Sequence, residues 1–406
     1  MTQPSKSEVV ERSTPKLVGE WQQGGPETLS GRILRELRLA FAPTQSTKLA
    51  TVNRYTVMSR TIEAMIKHTG VIPEKDSSAK YQTIKAVRIH KYGGPEVLQY
   101  EDAPRPQPQA GEVVVRVHAA GVNPIDWKVR EGHMKDFWPH KLPLILGWDL
   151  SGVVEEVGPS PAAAGQFKKG DEVYSLPDPT RNGAYADYIV VRESELALKP
   201  NSLHHIRAAA VPLAALTAWQ SLFDTAQLQP GQRVLIHAGS GGVGHFAVQL
   251  AKWKGAYVFA TASTKNQDLL REIGVDEPID YTQQRFEDVG RNIDIVLDTL
   301  GGETQERSWS VLKKGGVLVS FVQPPSEEKA EELGVRAAII GAQPNGAQLA
   351  QIAKIIDSGQ LAPVIDRILP LSEVRRTHEL SKSGHTRGKI VLRISNGNGT
   401  MERKQP

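Results

Sequence analysis

Residues 237 to 252 read HAGSGGVGHFAVQLAK, with four glycines in six positions followed by an apolar pattern. Gly239, Gly241 and Gly244 fit G-x-G-x-x-G. That pattern carries meaning only in context, and the context is present. Arg233 to Ala238 reads as an apolar strand, and Val243, Phe246, Ala247, Leu250 and Ala251 recur at helical spacing until Gly255. A loop of this kind between strand and helix binds the pyrophosphate of a dinucleotide. The first glycine is expected to permit the tight turn, the second to let backbone N–H groups approach the phosphates, and the third to let the helix pack close to the strand. The positive end of the helix dipole adds to the attraction.

The next strand selects the dinucleotide. A site for NAD places an acid about 20 residues beyond the glycines, where it accepts hydrogen bonds from the ribose 2′-OH. Here YVFATASTKNQ holds no acid until Asp268, and Ser263, Lys265 and Asn266 offer donors and one positive charge. That chemistry suits a 2′-phosphate, so NADPH is expected in preference to NADH.

Strands and helices alternate around this loop. RVLIHA, AYVFATA, PIDY, IDIVLD, GGVLVSF and VRAAII are separated by helical patterns from about residue 207, which predicts a parallel sheet covered by helices. Residues 84 to 206 read differently. IKAVRIHKYGG, EVVVRVHAAGVNP, LILGWDLSGVVEEVG, GDEVYSL and GAYADYIVV are short strands set off by Gly and Pro. After a helix, AQLAQIAKIIDSG, the strands VIDRILPL and GKIVLRI resume that character, so the β-rich lobe is expected to be discontinuous.

The whole chain has 406 residues, enough for two lobes and an appendage. Its 39% apolar and 23% charged residues suit a soluble protein, and no transmembrane segment is expected. With no cysteine, disulfides and zinc sites built on thiolates are excluded. Residues 1 to 84 carry 12 Lys and Arg against 8 acids, leaving 37 of each elsewhere. A neutral body with a mildly basic arm argues against nucleic acid. Within the arm, GRILRELRLAF and SRTIEAMIKHTG read as short amphipathic helices. Glu8, Glu11, Glu20 and Glu27 argue against an organelle address, so a cytoplasmic location is expected.

From about residue 84 to 394 the chain resembles the medium-chain dehydrogenase/reductase superfamily, most of all its zinc-free quinone oxidoreductase (zeta-crystallin-like) and enone reductase branch. The likeness rests on AAGVNPIDWKVREG, LPLILGWDLSGVVEEVG, KKGDEVY, GAYADYIVV, AAVPLAALTAWQSL, HAGSGGVG, GVDEPIDY and GHTRGKIVL, in the family's order. It implies an α/β protein with a GroES-like β-rich catalytic domain (85–206 and 341–394) and an inserted Rossmann dinucleotide-binding domain (207–340). An N-terminal extension, 1–84, and a tail, 395–406, lie outside it.

Carried over by position, Gly241, Gly242 and Val243 resemble the pyrophosphate loop, and Ser263, Lys265 and Tyr281 the 2′-phosphate cradle. Asn123 and Thr217 resemble contacts to the nicotinamide. Thr217 could equally be a helix hydroxyl satisfied by its own backbone, and Asn123 a turn former. Lys128 stands where quinone reductases often have Tyr; a cation there would stabilise a developing enolate oxygen. Tyr185 and Asn182 would line the pocket by analogy, and His385 and Arg387 would approach the cofactor phosphates. Trp127, Trp148 and Trp219 would shape an apolar mouth unless they pack in the core. The zinc-dependent branch has Cys where Asn123 stands and His where Trp148 stands, so the resemblance implies chemistry without a metal.

The resemblance therefore implies hydride transfer from NADPH to a quinone or to the activated C=C of an enone or enal, a small apolar conjugated carbonyl. A homodimer is expected, with VRAAII as the strand that pairs across it. An enoyl-thioester reductase and an NADPH-binding scaffold with little turnover remain alternatives.

Overall fold

A computed structural model describes residues 82–159 and 165–394. The two helices expected in the arm and the tail from 395 lie outside the described residues. The described residues belong to one compact unit.

Its first half is β-rich: β1 (Thr83–Ile89), β2 (Gln99–Pro104), β3 (Glu112–Val122), β4 (Leu144–Ile145), β5 (Leu150–Val157), β6 (Glu172–Ser175), β7 (Tyr188–Arg192) and β8 (Leu196–Leu198). Strands β2, β1 and β4 make a small antiparallel sheet. The 11-residue β3 is the hub of the larger one, since β5, β7 and a late strand all pair with it. Its composition explains this: Val113, Val114, Val115, Val117, Ala119 and Ala120 are buried, as a strand covered on both faces requires. At its end the chain turns through Asn123 into α1 (Pro124–Arg130). Pro124 fits there because the first turn of a helix needs no partner for its missing N–H.

After helix α2 (Pro212–Trp219) come β9 (Arg233–Ile236), α3 (Gly244–Trp253), β10 (Tyr257–Ala262), β11 (Glu277–Asp280), β12 (Ile293–Asp298), β13 (Leu312–Ser320) and β14 (Arg336–Ile339). All pair in parallel in the order β11-β10-β9-β12-β13-β14. That is the doubly wound dinucleotide-binding order, whose switch point falls between β9 and β12. Helix α4 (Gly346–Asp357), capped by the Asn345 side chain on the Gln348 N–H, then leads to β15 (Ile365–Pro370) and β16 (Lys389–Arg393). Strand β16 pairs with β3, so the C-terminal strands close the sheet that the N-terminal ones began. The discontinuity expected from the sequence is what strand pairing produces.

The run His205–Thr225 is long and apolar enough by length and composition to cross a membrane. Its apolar window is 78% buried within the protein, the condition of a core helix.

Buried imidazoles set an acid limit on this fold. Burial lowers His237 and His245 to about 4 and His378 to about 3, all below the ordinary 6.5. Between those values the unfolded chain binds more protons than the folded one, so their contribution is present above pH 6.5 and lost as pH falls through 4. Asp126, raised to about 7 by burial, works in reverse: its contribution is full below pH 3.8 and lost as pH rises through 7. Three groups outweigh one. The thermal midpoint is expected to be lower at pH 4.5 than at pH 7, and a scan showing the reverse would contradict these burials.

Candidate active site

The glycine loop leaves the carboxyl end of β9 at the switch point, where open α/β sheets bind ligands. The residue that makes the turn is Ala238, in the left-handed region at φ 46°, and not Gly239 as expected. Gly239 serves close approach instead, because a Cβ on it would lie 2.7 Å from the Cβ of Ala260 on β10. Gly244 does what the sequence predicts. A Cβ there would lie 2.1 Å from the Ala238 carbonyl oxygen, so only glycine lets α3 start this close to β9.

His245 locks the loop, a role the sequence did not reveal. Its Nε2 accepts from the Val364 N–H at 3.1 Å, so Nδ1 carries the proton and donates to the Gly241 carbonyl at 2.8 Å. Burial keeps this imidazole neutral. The Ser240, Gly242 and Val243 N–H groups make no hydrogen bond to another described residue. They are free to meet an anion at the start of α3.

A cavity of about 730 Å³ opens beside the loop. Gly241, Ser263, Lys265 and Tyr281, all expected to hold the cofactor, line it together, as does His385. Arg387 does not. The rim at β10 is built by a tie between loops: Thr264 bonds Thr282 at 2.9 Å, and Thr282 donates to Asp280 at 2.7 Å. Cations on the lining differ in availability. Arg307 grips Glu287 at 2.6 and 2.8 Å, Arg285 bonds the same carboxylate at 3.2 Å, and Glu287 is held down at about 2, most of all by its hydrogen bonds from Arg307. Lys265 lines the cavity and forms no ion pair with a described residue.

None of the residues expected to act on the substrate side lines this cavity, and Asn123, Tyr185 and Thr217 are buried. Asn123 donates from Nδ2 to Asp149 Oδ2 at 2.8 Å, and its Oδ1 accepts from the Lys389 ammonium. Lys389 also bonds Asp149 Oδ2 at 2.9 Å. The other oxygen of Asp149 accepts from the Leu213 N–H, at the start of α2, at 2.6 Å. Asp126 accepts from the Asn123 N–H at 2.7 Å and from the Tyr185 hydroxyl at 2.8 Å; its Oδ1 has no partner.

Tyr185 is therefore no pocket-lining donor. It is fully buried, its proton is given to Asp126, and burial beside that carboxyl raises it well above 10. Thr217 takes the bland course, its hydroxyl donating to the Leu213 carbonyl at 2.7 Å, which leaves only acceptor capacity. Lys128, on α1, is half-buried, and its ammonium stands 5.8 Å from the Trp127 ring centre. Asn182 spends its side-chain oxygen on the Ile145 N–H. Trp148 and Trp219 are core residues, and only Trp127 is half-exposed.

Two lobes of this kind, with a phosphate loop at the switch point of the inserted sheet, define a dinucleotide-dependent oxidoreductase. Residues 109–201 match the alcohol dehydrogenase GroES-like domain family, and residues 273–392 the zinc-binding dehydrogenase family. NAD(P)H oxidoreductase RTN4IP1, mitochondrial, of Danio rerio is 33% identical over 364 residues, covering 78% of this chain and 93% of that one. NADPH-dependent alkenal/one oxidoreductase, chloroplastic, of Arabidopsis thaliana is 35% identical over 323 residues, covering 76% and 79%. The solved quinone oxidoreductase from Coxiella burnetii superposes with a TM-score of 0.72 at 34% identity, covering 77% of this chain and all of that one. The chain belongs to the medium-chain dehydrogenase/reductase superfamily, in its quinone and enone oxidoreductase branch. The cytoplasmic expectation is overturned: the Danio rerio relative is named as mitochondrial and the Arabidopsis thaliana one as chloroplastic.

Proposed function

We propose that this NAD(P)H oxidoreductase uses NADPH and reduces a quinone or the activated C=C of an enone or enal without zinc. The observation that carries the reading is Lys265: an unpaired cation at the end of β10, in the same cavity as the glycine loop, with no acid on that strand end. A 2′-phosphate gains a charge-assisted hydrogen bond there. Ser263 and Tyr281 complete the cradle, while the free N–H groups of the loop hold the pyrophosphate. Bound NADPH supplies the hydride. Asn123, with its amide fixed, and Thr217, as an acceptor, orient the nicotinamide. Lys128 donates to the oxygen on which charge develops. Tyr185, through Asp126, holds the turn that carries Asn123 and Lys128.

The donor set does not fit catalytic zinc. Where the zinc branch has Cys and His, this chain has Asn123 and Trp148; the indole is buried and donates to the Arg181 carbonyl at 3.1 Å. An ammonium, Lys389, already stands between Asn123 and Asp149. Among the described residues no group of three or more His, Asp or Glu could hold a metal. The substrate is accordingly read as a small conjugated carbonyl or quinone. A homodimer is supported by β14, an edge strand with Ile339 exposed.

The test is consumption of NADPH and of NADH, with and without a chelator, against an enone, an alkenal, a quinone and a crotonyl thioester. Turnover of the enone or quinone with NADPH, unaffected by chelator, is expected. Preference for the thioester would favour an enoyl-thioester reductase, and tight NADPH binding with no turnover a scaffold. Lys128→Ala is expected to lower kcat about tenfold, the worth of one charge-assisted hydrogen bond of about 1.5 kcal/mol, with little change in the KM for NADPH. Unchanged kcat would remove its role.

A further inference from the structure

Lys389 is 3% exposed, and the proposed chemistry leaves it without a task. Its ammonium bonds Asn123 Oδ1 and Asp149 Oδ2. Its stem lies against the glycine loop, where a Cβ on Gly242 would sit 3.5 Å from Lys389 Cδ. The preceding residue, Gly388, donates its N–H to the Ser240 carbonyl at 2.8 Å. Asp149 in turn grips the Asn123 amide and the first turn of α2, the helix that carries Thr217.

We propose that Lys389, acting through Asp149 and Asn123, is a positioning residue that fixes the Asn123 amide in one orientation and registers it against the glycine loop. The inference rests on the reading of Asn123 as a nicotinamide contact. An amide can present its oxygen or its nitrogen with nearly equal shape, so something must choose. Here the choice is electrostatic. The ammonium attracts the Asn123 oxygen, the carboxylate attracts one N–H, and the second N–H remains free. Because the stem of Lys389 lies beside the loop that receives the pyrophosphate, the nicotinamide end and the pyrophosphate of a bound dinucleotide are registered by one side chain.

Lys389→Met alone leaves Asp149 buried and unpaired, which can unfold the protein. The informative variant is the neutral pair Lys389→Met/Asp149→Asn. The Leu213 N–H then claims the oxygen of residue 149, its NH2 faces Asn123, and the Asn123 amide must turn over. Melting temperature, the Kd for NADPH from its fluorescence on titration, and kcat are measured for wild type, Asn123→Ala, the neutral pair and the triple variant. The neutral pair is expected to melt within about 5 °C of wild type. It should bind NADPH about tenfold more weakly and turn over about tenfold more slowly, and adding Asn123→Ala should cost nothing more. Full additivity of the Asn123→Ala and neutral-pair losses, or wild-type Kd and kcat in the neutral pair, overturns the inference while leaving the site reading intact. Failure of the wild type to bind NADPH overturns both.

Discussion

Lys265→Glu is expected to lower kcat/KM for NADPH at least about 100-fold while leaving kcat/KM for NADH unchanged or raised. A charge-assisted hydrogen bond is worth about 1.5–3 kcal/mol, or roughly 10- to 150-fold, and reversing the charge adds repulsion to that loss. The neighbours cannot make it good. Arg307 and Arg285 are engaged by Glu287, whose carboxyl sits too low to release them near neutral pH. An acid at position 265 would also reproduce the condition that favours NAD, an acceptor for the ribose 2′-OH near the end of the second strand. Steady-state kinetics with both nucleotides and one acceptor decides it. Equal losses for NADPH and NADH would show that Lys265 acts through the fold or the pyrophosphate, and the cofactor assignment would fail. The substitution itself is mild, because Lys265 is exposed in a short turn and carries no core contact.

What the sequence made legible was local. The glycine loop, its flanking strand and helix, and the missing acid after β10 lie within 35 residues, and each is a pattern of spacing. The parallel sheet followed from alternation of strand and helix, and the discontinuous lobe from a return of strand character after α4. What it hid was distant along the chain. Lys389 meets Asn123 across 266 positions and Asp149 across 240, and His245 meets Val364 across 119. No periodicity announces such pairs. GKIVLRI reads as a strand, and nothing in it marks its lysine. Tyr185 shows the opposite error. Its place in GAYADY suggested a pocket, but Gly147 leaves room for the ring to sink, since a Cβ there would lie 2.3 Å from it, and the buried hydroxyl finds Asp126. Where the partner of a residue was another side chain far along the chain, only the folded chain revealed it.

Gly244→Ala is expected to damage stability and cofactor binding together, and for one geometric reason. The new methyl would stand 2.1 Å from the Ala238 carbonyl oxygen and 2.8 Å from the Cα of Gly239, both backbone atoms. No flexible side chain can move aside, so the start of α3 must shift by about 1 Å to restore contact distance. Phe246, Ala247, Leu250 and Ala251 on that helix are fully buried, and the shift reaches the core through them. Overpacking of this kind costs about 1–3 kcal/mol. In a unit of this size that lowers the melting midpoint by roughly 2–5 °C. The same shift carries the N–H groups of Gly242 and Val243 off the pyrophosphate, and a displacement of about 1 Å at a binding group can cost about 100-fold. Gly341→Ala is the control, because a Cβ there meets nothing within 4 Å and its backbone is not left-handed. Melting scans with and without NADPH read both effects: Gly341→Ala should keep the wild-type midpoint and its rise with NADPH, and Gly244→Ala should lose both. A Gly244→Ala protein that still gains its full NADPH-induced rise would mean that the close approach of helix and strand is not what positions the phosphate loop.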